Sequence, residues 1–268
     1  MVHLIPVSRV GSSLRLRWYD RGTMRVSRIY LPVPLAPDSS VVLTKEQAHY
    51  LGTVLRLRAG AAVIFFNGDG AEYDAVIASV DRRSGQLHVQ ARREPQRESS
   101  LELCLALGIS RGERMTYAIQ KAVELGVTRI QPLITEYCEV RVDEERAEKR
   151  QHHWLGVVHS ACEQSGRTRV PQICTAQSLD HWLTTLTAAA DLRLALDPRA
   201  AMRFGELPDQ ASHLTLLVGP EGGLSETDLT ATDRAGFTRL RLGPRILRTE
   251  TAAVAALVAA QLQWGDLR

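Results

Sequence analysis

The chain contains 268 residues, of which 44% are hydrophobic, 24% are charged and 5% are aromatic. These fractions lie within the range of globular proteins and exclude a disordered or fibrous chain. Lysine and arginine number 33 against 30 aspartate and glutamate residues, which gives a formal net charge of +3. The basic residues are almost all arginines, since the only lysines are Lys45, Lys121 and Lys149. Arginine-biased codon usage is the simplest explanation of this excess, so composition alone identifies no partner.

Charge is unevenly distributed along the chain. Residues 1–98 carry 14 basic and 9 acidic side chains, whereas residues 99–268 carry 19 and 21. The excess of basic residues in the first part of the chain indicates an anionic partner.

The opening segment lacks the apolar core of a signal peptide, and the longest apolar stretch, Ala252–Ala260, is too short to span a bilayer. Because the four cysteines form no CxxC pair, we expect a cytoplasmic protein with no membrane and no metal site.

The front of the chain is expected to form short strands. The predicted strands are Arg28–Leu31, Ala62–Phe66, Tyr73–Val80 and Leu87–Ala91. Asn67–Gly70 favours a hairpin turn, because Asn-Gly sequences adopt the positive φ angles that such turns need. A short helix is predicted over Lys45–Leu55, capped by Thr44. Its buried face is predicted to hold Ala48, Leu51, Val54 and Leu55. These elements predict a small β-barrel, followed by an arginine-rich linker over Arg92–Ser100.

From residue 101 the pattern changes to strands that alternate with longer helices. The predicted strands are Leu101–Ile109, Arg129–Ile134, Leu192–Leu196, Leu214–Val218 and Thr238–Leu242. The predicted helices are Glu113–Leu125, Asp143–Gln164, Leu179–Ala190, Glu226–Ala235 and Glu250–Gln263. Such alternation predicts a parallel sheet covered by helices on both faces. Ligands of open α/β sheets bind at the carboxyl ends of strands, so the candidate site consists of the loops that begin near residues 109, 197, 219 and 243.

The first of these loops carries a nucleophile-elbow pattern. Gly108-Ile-Ser110-Arg-Gly112 follows a strand and precedes a helix, which is the context of the serine nucleophile in α/β-hydrolases. A hydrolase also needs an acid and then a histidine after the serine, but the last histidine, His213, directly precedes a predicted strand. A glycine-bounded turn therefore explains the pattern better, and a serine hydrolase using Ser110 is kept as an alternative.

The loop after residue 218 carries three glycines, a proline and a carboxylate within five positions, in the sequence Val218-Gly-Pro-Glu-Gly-Gly-Leu-Ser225. Bare backbone at the glycines lets a ligand approach main-chain groups closely. Glu221 is a candidate partner for a ligand amine or for an arginine. Ser225 and Asp228 form a capping-box pattern at the start of the next helix. We interpret this segment as a ligand-binding loop.

The loop after residue 242 leads into the last helix with the sequence Leu242-Gly-Pro-Arg-Ile-Leu-Arg-Thr-Glu-Thr251. Thr249 is the candidate helix cap. Arginine is unfavourable near the positive end of a helix dipole, so Arg248 requires an anion or Glu250 beside it. An anionic substrate explains these residue types better than a surface ion pair. Earlier in the chain, Glu163-Gln-Ser-Gly-Arg167 ends a helix, and a capped helix end and a functional role explain that segment equally well.

These segments resemble the RsmE group of the SPOUT methyltransferases, which methylate N3 of a uridine in small-subunit ribosomal RNA. The matching segments are Arg28-Ile-Tyr-Leu-Pro32, His49-Tyr-Leu51 with Val54-Leu-Arg-Leu57 and Gly60, Lys121-Ala-Val-Glu-Leu-Gly126, Glu163-Gln-Ser-Gly-Arg167, Val218-Gly-Pro-Glu-Gly-Gly223 and Leu242-Gly-Pro-Arg-Ile-Leu-Arg-Thr-Glu-Thr-Ala252. They occur in the family's order and cover residues 24–264, nearly the whole chain.

The resemblance implies an α/β fold in two parts. Residues 24–93 are expected to form a small PUA-like RNA-binding β-barrel. Residues 99–268 are expected to form a SPOUT methyltransferase domain, whose parallel sheet ends in a C-terminal trefoil knot. Because the family begins close to the Arg28 strand, Met24 is the expected start, and residues 1–23 are expected to be an extension outside the native protein. The resemblance also implies a homodimer, with the knot and the last helix at its interface.

S-adenosylmethionine is the cofactor that the resemblance implies, held in the knot largely by backbone groups. The implied cofactor-binding residues are Leu196, Asp197, Val218, Gly219, Pro220, Glu221, Gly222, Gly223, Leu242, Gly243, Ile246 and Leu247. Uridine N3 must lose a proton, and the charge that develops on the base must be stabilised, so Arg248 and Glu250 are the candidate catalytic residues. The candidate RNA-binding residues are Arg28, Arg56, Arg58, Arg111, Arg167 and Arg245.

The expected substrate is 16S ribosomal RNA within the assembled 30S subunit. Two alternatives besides the serine hydrolase stay open. Another SPOUT enzyme, acting on 2′-hydroxyls of transfer or ribosomal RNA, would share the knot loops, but the PUA-like front argues against it. A non-catalytic RNA-binding protein would have no affinity for S-adenosylmethionine.

Overall fold

Two β-sheets organise the chain. The computed structural model describes residues 26–139, 144–187 and 192–267. A five-stranded sheet forms the N-terminal module, residues 26–93, and a seven-stranded sheet with its helices forms the C-terminal module, residues 102–267. The expected extension over residues 1–23 lies outside the described residues.

The N-terminal module is built on three antiparallel strand pairs and one parallel pair. Its strands are β1 (Ser27–Tyr30), β2 (Ser40–Leu43), β3 (Ala62–Phe66), β4 (Glu72–Val80) and β5 (Gly85–Arg93). They pair in the order β1-β3-β4-β5-β2, in which β1 with β3 is the parallel pair. The predicted hairpin is confirmed, since β3 and β4 pair antiparallel with Phe65 opposite Tyr73. Strand β2 was not predicted, and it extends the sheet by pairing with β5. Alternate side chains such as Val63 and Ile77 are buried in the core of this module.

The short predicted helix is α-helical only over its first part. Helix α1 spans Lys45–His49 and continues as a π-helical turn over Tyr50–Val54. Thr44 caps α1 as predicted. The wider turn leaves Val54 58% exposed, whereas Leu51 is buried. The prediction that Val54 lies on the buried face is therefore wrong, because it assumed the 3.6 residues per turn of a regular α-helix.

The C-terminal module is a parallel sheet, as predicted. Its strands are β6 (Glu102–Gly108), β7 (Arg129–Ile134), β8 (Gln172–Ile173), β9 (Gln177–Ser178), β10 (Leu192–Leu196), β11 (His213–Val218) and β12 (Thr238–Leu240). Its helices are α2 (Glu113–Glu124), α3 (Glu144–Ser165), α4 (Leu179–Thr185), α5 (Glu226–Arg234) and α6 (Thr249–Trp264), with a 3₁₀ turn at Phe204–Glu206. The strands pair in the order β12-β10-β11-β6-β7-β8, and β9 also pairs with β7. The two-residue strands β8 and β9 were not predicted, because they are too short to show an alternating pattern.

Apolar clusters lie on both faces of this sheet. Leu105 of β6 belongs to the cluster that contains α2, α3 and α6, whereas the next residue, Ala106, belongs to the cluster that contains Trp182 of α4. Helix α6 buries Ala253 and Leu257 in the first cluster. Within the described ranges, no helix combines the length and the apolar composition that crossing a bilayer requires.

Arg28 of β1 joins the two modules. Its Nε donates to Oε1 of Glu72 in β4 at 2.8 Å, its Nη1 to the carbonyl of Cys162 at 2.5 Å, and its Nη2 to the carbonyl of Arg167 at 2.6 Å. The guanidinium also lies 4.0 Å from the ring centroid of Phe66. The side chains of Arg28 and Glu72 are only 10% and 2% exposed. Removing one partner of such a buried pair typically costs about 3–5 kcal/mol.

Aromatic side chains of the N-terminal module also pack in the core of the C-terminal module. Phe66 is fully buried in that core, and Tyr30 packs against it. The Tyr30 ring lies against His159 of α3, with a centroid distance of 4.1 Å, and the Tyr30 N–H donates to Glu163 at 2.9 Å. Burial lowers the pKa of His159, and burial also raises the pKa of Glu163 despite the Tyr30 N–H and the charge of Arg28. Burial at this contact therefore favours the neutral form of both groups.

Arg167 ties the end of α3 to the end of α2. Its Nε and Nη2 donate to Oε2 of Glu98 at 3.0 and 2.7 Å, and its Nη1 donates to the carbonyls of Val123 and Val127 at 3.0 and 2.7 Å. Arg167 is only 5% exposed. We refer to Arg28, Tyr30, Glu72, Glu98, Glu163 and Arg167 together as the joint. Of the two explanations for the Glu163–Arg167 segment, these contacts favour the structural one, because the segment joins the two modules.

Replacing Glu163 by glutamine is expected to leave the protein at least as stable as the wild type at pH 7.5. The glutamine carbonyl keeps an acceptor for the Tyr30 N–H, while the buried negative charge is removed. A carboxyl group with a raised folded-state pKa stabilises the fold at low pH and loses that contribution as the pH rises through the folded pKa. We expect the midpoint of thermal unfolding to be higher by roughly 1–3 °C at pH 7.5.

The same comparison at low pH is the control. The two proteins are expected to converge as the pH falls to about 4, where glutamate takes up its proton in both the folded and unfolded states. A Glu163→Gln variant that melts below the wild type at pH 7.5 would contradict this account, because it would show that the ionised carboxylate stabilises the joint.

Candidate functional site

The carboxyl ends of β10, β11 and β12 surround one cavity of about 420 Å³. Every residue implied for cofactor binding lines it: Leu196, Asp197, Val218, Gly219, Pro220, Glu221, Gly222, Gly223, Leu242, Gly243, Ile246 and Leu247. Arg245, Arg248 and Glu250 line it as well. The lining residues that the sequence did not assign to ligand binding or catalysis are Arg114, Pro198, Leu240, Thr249 and Ala252. Arg114 was missed because it comes from α2, an element distant in sequence from the three loops.

A close approach between two loops shapes the cavity. Strands β6 and β11 are parallel neighbours, so the residues that follow them lie side by side. A β-carbon on Gly108 would lie 2.5 Å from both N and Cδ of Pro220, which real Cβ atoms essentially never do. Within the second loop, a β-carbon on Gly219 would lie 2.7 Å from the carbonyl carbon of Gly223. Gly108 of the elbow pattern is therefore explained by packing, and the loop glycines leave bare backbone at the cavity.

Glu221 is held by residues from outside its own loop. Its Oε1 accepts hydrogen bonds from the backbone N–H of Arg111 at 3.0 Å and from Nη1 of Arg114 at 2.9 Å. Partial burial acts to raise the pKa of Glu221, but the hydrogen bonds from its own backbone N–H, from Arg111 and from Arg114 outweigh burial and hold the pKa below its ordinary value. Of the two roles expected for Glu221, pairing with an arginine is confirmed, and the partner is Arg114 in the first turn of α2.

Asp197 brings a second carboxylate to the cavity. The residue is 5% exposed, and its Oδ1 accepts from the backbone N–H of Arg199 at 2.9 Å and from the Nε of Arg199 at 3.3 Å. Its Oδ2 lies 3.8 Å from Nη1 of Arg239. Because these arginines balance its charge, Asp197 is suited to accept hydrogen bonds from a neutral hydroxyl ligand.

Arg248 and Glu250 lie at the start of α6. The helix begins at Thr249, one residue before the predicted start, so Arg248 occupies the N-cap position and makes no capping hydrogen bond. The prediction that Thr249 is the cap is therefore wrong. The Arg248 side chain is exposed and forms no ion pair with a residue that the structure describes. Oε2 of Glu250 is buried without a hydrogen-bond partner among the described residues. A buried oxygen of this kind is unfavourable unless a ligand satisfies it.

The six arginines expected to bind RNA fall into two groups. The exposed ones are Arg56, Arg58, Arg111 and Arg245. Arg28 and Arg167 are instead buried in the joint, where carboxylates and backbone carbonyls take up their guanidinium groups. These two arginines were expected to contact RNA, but in the structure their guanidinium groups hold the fold together. The sequence could not separate the groups, because a buried and an exposed arginine look alike in one chain.

Ser110 has no catalytic partner among the described residues. It is 6% exposed, and its Oγ contacts the carbonyl of Gly108 at 3.4 Å. His153 lines a neighbouring cavity with Ser110, but its Nε2 is hydrogen-bonded to Oγ1 of Thr116 at 3.1 Å. The geometry does not favour the serine hydrolase.

Comparison with known proteins decides the family. An RNA methyltransferase domain model matches residues 97–261, and an RNA methyltransferase PUA domain model matches residues 43–90. The ribosomal RNA small subunit methyltransferase E of Buchnera aphidicola subsp. Schizaphis graminum is 34% identical over 243 residues, which cover 91% of this chain and 98% of that relative. This chain belongs to the ribosomal RNA small subunit methyltransferase E family. The Bacillus subtilis member is 30% identical over 243 residues, 87% of this chain and 93% of its own length.

Solved structures agree with this family. A methyltransferase from Legionella pneumophila, solved with bound S-adenosylmethionine, is 40% identical with a TM-score of 0.87, and the match covers 91% of this chain and all of that one. The family member from Neisseria gonorrhoeae, also bound to S-adenosylmethionine, is 35% identical with a TM-score of 0.85 and the same coverage. The resemblance seen in the sequence motifs is confirmed, together with the α/β fold and its PUA domain. The trefoil knot stays a prediction.

Gly108→Ala is expected to destabilise the fold by about 1–3 kcal/mol, the usual effect of overpacking a filled site. The new β-carbon would meet Pro220, whose ring and backbone cannot rotate away. Gly156→Ala is the matched control, because Gly156 lies in α3 and its β-carbon would meet nothing within 4 Å. The control is expected to stabilise the protein by about 0.5–1 kcal/mol. Urea unfolding measures both changes, and equal stability of the two variants would refute the close approach as a constraint.

Proposed function

We propose that this chain transfers a methyl group from S-adenosylmethionine to N3 of a uridine in 16S ribosomal RNA, with the assembled 30S subunit as its substrate. The observation that carries the proposal is the single cavity formed by the three loops whose sequences match the family. Relatives at 40% and 35% identity bind S-adenosylmethionine in their solved structures.

The residues around the cavity fit S-adenosylmethionine. The volume of about 420 Å³ lies in the range of small-molecule sites. The bare backbone at Gly219, Gly222 and Gly223 offers main-chain donors and acceptors to the adenine and amino-acid parts. Asp197 offers a charge-balanced carboxylate to the ribose hydroxyls. When bound, this cofactor supplies an electrophilic methyl group on a sulfonium.

Two tasks then fall to side chains of this chain. Glu250 is the proposed acceptor of the uridine N3 proton, because its Oε2 is buried at the cavity without a partner among the described residues. Arg248 is proposed to stabilise the negative charge on the neighbouring carbonyl oxygens of the base, since its guanidinium is exposed at the same cavity. Both residues stand at the start of α6, where the helix dipole also favours negative charge.

Four exposed arginines are the proposed RNA contacts. Arg111 and Arg245 lie beside the cavity, and Arg56 and Arg58 lie on the N-terminal module. Arg56 has a φ of +56°, a left-handed conformation that is unusual for a residue other than glycine. It follows the π-helical turn, and strained backbone of this kind is often retained at functional sites.

The chain is further proposed to act as a homodimer. Ile246 in the third loop is 87% exposed, and Leu262 in α6 is 54% exposed. Large apolar side chains at the cavity mouth and on the last helix support an interface that covers them. The proposed knot would bring the three cavity loops and α6 into the same interface.

Mapping of methylated nucleosides tests the function. The 16S ribosomal RNA from cells that carry the gene is expected to contain one N3-methyluridine more than the RNA from cells that lack it. Small subunits purified from the cells that lack the gene are expected to gain the same N3-methyluridine when they are incubated with the protein and S-adenosylmethionine. A methyl group on a ribose 2′-hydroxyl would favour another SPOUT activity. No calorimetric affinity for S-adenosylmethionine would favour a non-catalytic RNA-binding protein. Labelling of Ser110 by a fluorophosphonate probe would favour the hydrolase.

Arg248→Ala is expected to retain affinity for S-adenosylmethionine while single-turnover methyl transfer falls by about 100-fold or more, as when other charge-stabilising donors are removed. Glu250→Gln is expected to slow the same step by about 100-fold, because an amide cannot take the proton. Arg234→Ala, at an exposed arginine at the end of α5, is the control and is expected to behave as the wild type. Wild-type turnover in either site variant would remove that residue from the mechanism.

The Arg56→Ala/Arg58→Ala double variant is expected to bind small subunits more weakly at low salt, with a deficit that shrinks as the salt concentration rises. Each lost phosphate contact should reduce the slope of log affinity against log salt by about one. Affinity for S-adenosylmethionine should be unchanged, because both residues lie outside the cavity. Filter binding between low and physiological salt makes the measurement, and an unchanged slope would show that these arginines do not contact phosphate.

A further inference from the structure

Helix α2 connects the joint with the cavity. The carbonyl of Val123 in its last turn and that of Val127, three residues beyond its end, accept hydrogen bonds from Arg167 of the joint. At its N-terminal end, Arg114 donates to Glu221 of the cavity loop at 2.9 Å. The 12 residues of α2 span about 18 Å at 1.5 Å per residue. One short helix therefore separates the contact with the N-terminal module from the loop that shapes the cavity.

The contacts along this connection are continuous. Arg28 of the N-terminal module bonds the carbonyl of Arg167, and the side chain of Arg167 bonds the end of α2. The inner face of α2 is packed in the core of the C-terminal module. The buried residues of that face are Met115, Ala118, Ile119, Ala122 and Val123. A packed helix held at both ends leaves little freedom for the N-terminal module to move relative to the cavity.

The ion pairs and hydrogen bonds around Glu72 and Arg28 fix the relative orientation of the two modules at the joint. The carboxylate of Glu72, 2% exposed, is contacted by Arg28 at 2.8 Å, by Arg97 at 3.0 Å and by Arg93 at 3.3 Å. Arg97 also donates to the carbonyl of Gly166 at 3.1 Å. Each of the three nitrogens of the planar Arg28 guanidinium donates to a different oxygen atom. A lysine ammonium lacks this fork and cannot reproduce the same set of directions.

We propose that the joint and α2 hold the N-terminal module at a fixed distance from the cavity, so that only the nucleotide at that distance along a bound RNA enters the cavity. This inference rests on the proposed function, because it requires an RNA substrate and RNA contacts on the N-terminal module. Arg28, Glu163 and Arg167 are then positioning residues for target choice. They act through the orientation of the modules and touch neither the base nor the cofactor.

The experiment compares four variants with the wild type. Arg28→Lys keeps a positive charge beside Glu72 but loses the fork, and Glu163→Ala removes the acceptor of the Tyr30 N–H. Glu163→Gln is the conservative partner that keeps this acceptor. Asp81→Asn is the control, because among the described residues Asp81 bonds only Arg83 and Ser84 in the turn between β4 and β5 and touches no residue of the joint. Measurements are affinity for S-adenosylmethionine, affinity for small subunits, the single-turnover rate and the position of the methyl group.

Arg28→Lys and Glu163→Ala are expected to bind S-adenosylmethionine and small subunits as the wild type does. Their single-turnover rates are expected to fall by about 10-fold or more, because a displacement of about 1 Å can cost 100-fold. The methyl groups that they do transfer are expected at more than one uridine. Glu163→Gln and Asp81→Asn are expected to methylate the wild-type position at the wild-type rate. If Arg28→Lys does not fold, the pair of Glu163 variants makes the same comparison.

Two results would overturn the inference. One is a wild-type rate at the wild-type position in both Arg28→Lys and Glu163→Ala. The other is a loss of rate matched by an equal loss of affinity for small subunits or for S-adenosylmethionine, which a merely structural role predicts. The wild type separates these results from failure of the proposed function, because a wild-type protein that transfers no methyl group refutes the function itself.

Discussion

The parallel pairing of β12, β10, β11 and β6 is the constraint on which the site depends. Parallel strands deliver their carboxyl ends to the same edge, so three loops far apart in sequence meet around one cavity. Neighbouring strands lie only about 5 Å apart, which leaves no room for a side chain where Gly108 meets Pro220. The bare loop backbone at the cavity is a consequence of that crowded edge.

Periodicity and turn residues were sufficient to predict most of this architecture. Strands such as Ala62–Phe66 and Arg129–Ile134 have the predicted bounds, because continuous or alternating apolar runs identify buried strands directly. The loop motifs located the cavity because glycines and charges clustered at the ends of parallel strands are typical of ligand-binding loops. Val54 was misplaced, since no residue pattern distinguishes a π-helical turn from a regular one.

Tertiary partners were the part that the sequence could not show. Arg28 and Arg167 carry the same charge as Arg56 and Arg58, and only folding decides which pair is enclosed by carboxylates and carbonyls. Arg114 was missed for the same reason, because its partner Glu221 lies more than a hundred positions away. Arg28 and Arg167 thus have a structural role in the joint, where a lysine ammonium could not bond in as many fixed directions.

The burial of Phe66 in the core of the C-terminal module has a consequence for biosynthesis. About a hundred residues separate Phe66 from the end of α3, so at 5–20 residues per second the ribosome completes the receiving surface roughly 5–20 s later. During that interval the surface that covers the rings of Phe66 and Tyr30 in the folded protein does not yet exist. The N-terminal module can therefore reach its native packing only after α3 has been synthesised.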